Sequence, residues 1–158
     1  MVIGVGNTYR RDDGVGPAVA AAVEALRLPG VRVVHCAAET TAILDAWDGA
    51  GIAVVVDAAV VDATVVDAAA GGTPGRVRHC GIDDFVEHPA VSSHELGIKQ
   101  AHELAVVLGR APDSVVVVTV DVADTGHGVG LSPPVAAALP EAVRVVAEQT
   151  EKARDQYP

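Results

Sequence analysis

Ile52-Ala53-Val54-Val55-Val56, closed by Asp57, is the stretch whose reading decides the fold of this chain. Five apolar residues in a row, with no polar alternation, describe a strand covered on both faces, as in the interior of a parallel sheet. Shorter runs of the same kind lie on either side. Val2 to Val5 and Val31 to Ala37 precede it, and Ser114 to Val120 follows. Between them the apolar period lengthens. Val15, Val19, Val23 and Leu26 recur at helical spacing, and Pro17 suits a first helical turn. Thr41 to Trp47 reads as a short helix. A helix from Ser92 to about Leu108 opens with the Ser92-Ser93-His94-Glu95 capping box and carries Ile98, Ala101, Ala105 and Leu108 on one side. Val60 to Val66 is an irregular strand or loop, Gly71 to Gly75 a turn, and Arg76 to Cys80 a further strand. Gly126 to Gly130 is a glycine-rich loop before a last helix, which Ser132 and Pro133 open and which ends near Lys152. Pro140 should kink or break it. Strands alternating with helices predict an α/β fold: a three-layer, mostly parallel twisted sheet of about five strands, flanked by helices on both faces.

The bulk properties agree with one domain over residues 1–158. Half of the residues are apolar but only 3% aromatic, so the core rests on Val, Ala, Leu and Ile. A formal charge of −10 argues against nucleic acid and anionic lipid as partners and favours a basic one. No stretch reaches the roughly 20 apolar residues of a membrane helix, and the start lacks a signal-peptide pattern. Cys36 and Cys80 form no CxxC pair. A cytoplasmic protein is expected.

Several residues could carry chemistry. Asp57 follows the central apolar run, and ligands of open α/β sheets gather where strands end at their carboxyl side. Asp62 and Asp67 repeat it at five-residue intervals, a spacing that matches neither helix nor strand. Asp12-Asp13 precedes the first helix, where one carboxylate suffices as a cap and a second needs a counter-charge, solvent or a metal. The residues alone do not say which acid does which. His94 stands in a first helical turn, which disfavours imidazolium and should keep the ring neutral and able to ligate. Gly4 and Gly6 resemble a dinucleotide turn only in part, because Tyr9 stands where the third glycine belongs. Asp13, Asp57 and His94 together would offer two carboxylates and one imidazole, a set suited to nickel or zinc.

Four segments resemble the hydrogenase maturation endopeptidases, which trim the large subunit of nickel–iron hydrogenases. They are IGVGNTYRRDDGVGPAV from Ile3, VVVDA from Val54, SSHELGI from Ser92 and GVGLSPPVAAALPEAV from Gly128. They occur in the family's order and span nearly the whole chain. The resemblance implies a metal-dependent, aspartic-type endopeptidase. Such an enzyme removes the C-terminal extension of a nickel-loaded hydrogenase large-subunit precursor and acts as a monomer. Its catalytic and metal-contacting residues would be Asp13, Asp57 and His94, with nickel supplied by the substrate. One segment departs from the family pattern. Where the family has an Asp-Gly-Gly-Thr-like stretch, this chain has Ala38-Glu39-Thr40-Thr41. Glu39, Thr40 and Thr41 are therefore the expected substrate-reading residues, on a loop path that avoids positive φ.

Two other readings compete. A non-catalytic chaperone on the same fold would bind a hydrogenase subunit without cutting it, and the changed Glu39-Thr40-Thr41 segment is its support. A receiver-type phospho-acceptor module would use Asp12, Asp13 and Asp57. That module needs a lysine after the last strand, and Val115 to Asp124 contains none.

Overall fold

The computed structural model describes residues 1–61, 72–87 and 93–156. Its five-stranded sheet is formed by β1 (Val2–Val5), β2 (Val33–Cys36), β3 (Ile52–Val60), β4 (Val77–Gly81) and β5 (Ser114–Val122). The strand order is β2-β1-β3-β5-β4. Every pairing is parallel except that of the edge strand β4, which runs against β5. The helices are α1 (Val15–Ala25), α2 (Thr40–Trp47), α3 (Ile82–Glu87), α4 (Ser93–Leu108) and α5 (Pro133–Gln156), with a 3-10 turn over Arg11–Gly14.

Strand periodicity divides the core in two. Val54, Val56, Ala58, Val118, Val120 and Val122 face α1 and α5. Ala53, Val55, Val115 and Val117 face the other way, against Trp47 of α2, Phe85 of α3 and Ile98 of α4. Successive side chains alternate across a strand, so Asp57 falls on the second face, beneath α4. Valine and alanine carry most of this packing, as the scarcity of aromatics requires.

The sequence expectations need four corrections. β3 does not stop at Val56: it pairs with β5 as far as Val60↔Val122, which places Asp57 inside the strand opposite Thr119. The small residues Ala58 and Ala59 let the strand continue under cover. Pro140 does not break α5, which runs unbroken from Pro133 to Gln156. The proline lies on the exposed side, where water can take up the freed carbonyl, while Ala138, Ala142 and Val146 hold the helix to the sheet. The α5 terminus also lies beyond Lys152. Finally, α3 was not anticipated, although Ile82, Phe85 and Val86 keep helical spacing and pack on the α4 side of the core. Asp62, Asp67 and Ser92, with its half of the capping box, lie outside the described residues.

Candidate active site

The site begins with the exit from β1. Gly6 adopts φ 145°, and a β-carbon there would overlap the carbonyl oxygen of Asp13. The glycine thus lets the 3-10 turn fold down against the strand end. The turn presents two adjacent acids, both buried, and the structure separates their roles. Asp12 points to the far loop, accepting hydrogen bonds from the backbone N–H of Ser132 at 2.6 Å and from its hydroxyl at 2.8 Å. Asp13 turns inward. Its Oδ2 accepts the backbone N–H of Asn7 at 2.9 Å, and its Oδ1 lies 3.4 Å from Nδ1 of His94.

Asp57 is 1% exposed. Its Oδ1 accepts the N–H of Ala58 at 2.8 Å and lies 3.1 Å from the same Nδ1 of His94. Three elements therefore converge on one imidazole: the turn after β1, the middle of β3 and the first turn of α4. Burial is the main influence on Asp57 and lifts its pKa above the usual carboxylate range, with the His94 bond acting in the opposite direction. His94 is also shifted upward, chiefly by the hydrogen bond to Asp57, which outweighs the ring's partial burial. The Asp57 bond thus works against the neutral imidazole that the helix terminus favours. The helix N-terminus counts for less than a carboxylate about one hydrogen bond away. Nearby Cys36 is pushed up to about 11 by burial and by the Asp57 charge, so its thiol is not a nucleophile at neutral pH.

Two carboxylate oxygens and an imidazole nitrogen suit a borderline divalent ion. Ligands held at roughly 2.1 Å around a tetrahedral ion stand about 3.4 Å apart, similar to the separations found here. Both carboxylates nevertheless aim at one ring nitrogen. Among the described residues, no three His, Cys, Asp or Glu side chains are already disposed about a single ion position. As it stands, the triad is a hydrogen-bonded assembly.

Glu39, Thr40 and Thr41 lie where α2 begins, beside the helix that carries His94. Glu39 is extended at φ −95°, consistent with a path free of positive φ. The Thr40 hydroxyl donates to Oε1 of Gln100 on α4 at 3.1 Å. Gly97, one turn beyond His94, permits this approach, because a β-carbon there would overlap the Ala38 carbonyl oxygen. A cleft of about 640 Å³, lined by Asn7, Tyr9, Pro17, His35 and Cys36 among others, opens between α1 and the end of β2. It adjoins the Asp13 loop without containing Asp57 or His94.

The sequence of the hydrogenase maturation protease family matches residues 38–149, well over half of the chain and inclusive of Asp57 and His94. The chain belongs to the hydrogenase maturation protease family. The protease is thus a hydrolase of a family that acts on hydrogenase large-subunit precursors. Its fold is similar to the hydrogenase maturating endopeptidase HybD from E. coli, with a TM-score of 0.80 at 20% identity over 96% of this chain and 91% of that one. The [NiFe] hydrogenase maturation protease HybD from Thermococcus kodakarensis gives 0.70 at 20% identity, over 94% and 96%. A hydrogenase 2 maturation peptidase from a Thaumarchaeota archaeon gives 0.64 at 25% identity, over 94% and 95%. No curated protein matches the sequence of the protease. Among the described residues, no helix is long and apolar enough to cross a membrane.

Asp121 and Arg10 did not stand out in the sequence. Asp121 is fully buried at the end of β5, where it binds Arg78 and, at 3.1 Å, the backbone N–H of Thr73. An aspartate one residue from the end of a valine-rich strand was the available signal. Arg10 stands two residues before the acidic pair and caps the same turn, its carbonyl accepting the Asp13 N–H at 3.1 Å.

Proposed function

We propose that the protease removes the C-terminal extension of a nickel–iron hydrogenase large-subunit precursor after nickel insertion. In this reading Asp13, Asp57 and His94 meet the substrate-borne nickel and form the catalytic site of a metal-dependent, aspartic-type endopeptidase. The observation that supports it is the convergence of Asp13 and Asp57 on Nδ1 of His94, from three separate elements. A divalent ion entering with the substrate would supply Lewis-acid polarisation of a carbonyl. The chain's own contribution is to hold two carboxylates and a basic nitrogen ready, with the carboxylates fixed by the N–H groups of Asn7 and Ala58. His94 can accept or return a proton at Nδ1, which sits between the two acids. Glu39, Thr40 and Thr41 read the precursor from the start of α2. Residues 1–158 work as one domain, as a monomer in the cytoplasm.

Mass spectrometry of a nickel-loaded precursor incubated with the protease tests the reading. The wild type is expected to shorten the precursor, and Asp57→Ala to slow this by roughly three orders of magnitude or more while remaining folded by circular dichroism. Undiminished processing by Asp57→Ala would overturn the assignment of the site. A precursor that binds the wild type and stays full length would instead identify a chaperone.

A further inference from the structure

β2 lies at one end of the strand order, with β1 as its neighbour on one side. The carbonyl oxygens of Arg32 and Cys36 accept the N–H groups of Val2 and Gly6, at 2.8 and 3.2 Å. Along a strand the N–H and C=O of one residue point to the same side, and successive residues alternate. Arg32, Val34 and Cys36 therefore face β1, and the backbone N–H and C=O of Val33 and His35 face outward. Among the described residues, no strand meets them there. Val33 to Cys36 also lacks the charged side chains and proline that commonly guard an open edge. This edge leads to the cleft of about 640 Å³, which His35 and Ala37 line together with Pro17 and Ala21 of α1 and with Asn7 and Tyr9. Asn7 joins the cleft to the triad, since its N–H holds Asp13. Tyr9 is 73% exposed, yet its N–H donates to Oδ1 of Asn7 and its carbonyl accepts the N–H of Gly128, both at 2.9 Å. An aromatic residue whose backbone is held but whose ring is uncovered offers contact area at little entropic cost. Among the described residues, no Asp, Glu, Lys or Arg lines the cleft.

An open strand edge offers main-chain donors and acceptors to an extended segment of any sequence, and a pocket beside it reads the side chains. We propose that the outer edge of β2 and the adjoining cleft bind the precursor as an added strand, with an uncharged, apolar side chain in the cleft. This inference rests on the endopeptidase reading above and names where the substrate lies beside the scissile bond. The uncharged lining decides the class of segment, because a charged side chain there would lose water and find no opposite charge. The sheet spacing decides the register. Neighbouring strands stand roughly 4.8 Å apart, so an added strand lies about 10 Å from β1, whose following turn carries Asp13. An extended chain covers about 3.3 Å per residue, so roughly three residues separate the paired segment from the bond that is cut.

Steady-state cleavage by two variants and a protection measurement test the docking. His35→Pro removes an outward N–H and spares the ladder to β1, because proline is accommodated on sheet edges. Ala21→Glu places a carboxylate in the cleft from an exposed helix position. Each is expected to raise KM for the precursor about tenfold, with kcat and Tm near wild type. Val107→Glu, the same added charge at an exposed position of α4, should change none of the three. Precursor bound to the Asp57→Ala protease should slow hydrogen exchange at the His35 N–H by roughly tenfold or more. The proposal is overturned if both variants keep the wild-type KM, or if the precursor leaves His35 exchange unchanged. Protection that rises with the concentration of the protease alone would assign the edge to a second copy and overturn it as well. A wild type that leaves the precursor full length would overturn the endopeptidase reading, while the exchange measurement, which needs no cleavage, still decides the docking surface.

Discussion

Among the described residues, four carboxylates are buried near the carboxyl edge of the sheet, two towards its rim and two at its centre. The rim acids are Asp12 and Asp121. Each is met by donors set by the fold: Ser132 for the first, Thr73 and Arg78 for the second. The central acids, Asp13 and Asp57, share a histidine instead. Burial costs a carboxylate several kcal/mol unless hydrogen bonds or charge offset it. At the rim this offset is supplied by permanent structure, so the acids tie loops together. At the centre the backbone N–H groups of Asn7 and Ala58 supply part of it, and the two acids share one ring nitrogen for the rest. Burial alone therefore does not separate the two pairs; the donors that meet each carboxylate do.

The contrast can be tested by stability. Asp12→Ala removes two charge-assisted hydrogen bonds across the molecule and should cost about 3 kcal/mol in denaturant unfolding. Asp57→Asn should leave stability unchanged or slightly raised, because it removes the charge whose burial lifts the Asp57 pKa. A loss at Asp57 as large as that at Asp12 would erase the distinction. Gly97→Ala falls between them. Its new methyl group meets the Ala38 carbonyl and should cost roughly 1–3 kcal/mol. Precursor turnover should fall by more than the unfolded fraction explains, because the clash lies one turn from His94.

The smallest effect concerns pH. The His94 pKa is raised above its ordinary 6.5, so the protonated ring stabilises the folded state. That contribution is complete below pH 6.5 and is lost as pH rises through the raised value. Thermal melts of the wild type should drift downward over that window, and those of His94→Asn should not. Parallel curves for the two proteins would show that the Asp57 bond does not govern the ring. A divalent ion competes with the same proton, so nickel titrated into the protease should bind more tightly as pH rises through this window.

Much of this was legible in the sequence, for identifiable reasons. The Ile52–Val56 run revealed the covered strand because five apolar side chains admit no solvent face. Asp13, Asp57 and His94 were grouped from their places at strand ends and a helix start, and the resemblance to a known family gave them their roles. Their spacing alone left Asp12 and Asp13 interchangeable. That choice depends on Ser132, which the fold brings from the opposite end of the chain. Asp121 escaped notice for the same reason, since its partners lie on β4 and the turn before it. The pull of Asp57 on the His94 proton was not legible, because the helix terminus is a local feature and the Asp57 bond is not. The break expected at Pro140 did not occur because the side of α5 on which it lies is decided by packing.

The placement of His94 on α4 also orders events in time. Asp13 and Asp57 both lie within the first 57 residues, one on the turn that follows β1 and the other on β3, strands that pair directly, whereas the ring arrives on a helix made later. A chain emerging from the ribosome can therefore align the two acids before it possesses the base between them. Until α4 settles with Gly97 against the Ala38 carbonyl, their mutual repulsion has no counter-charge from this ring. In the proposed endopeptidase, competence for chemistry thus comes with the docking of a single late helix, and an unfinished chain carries only the acidic half of the triad.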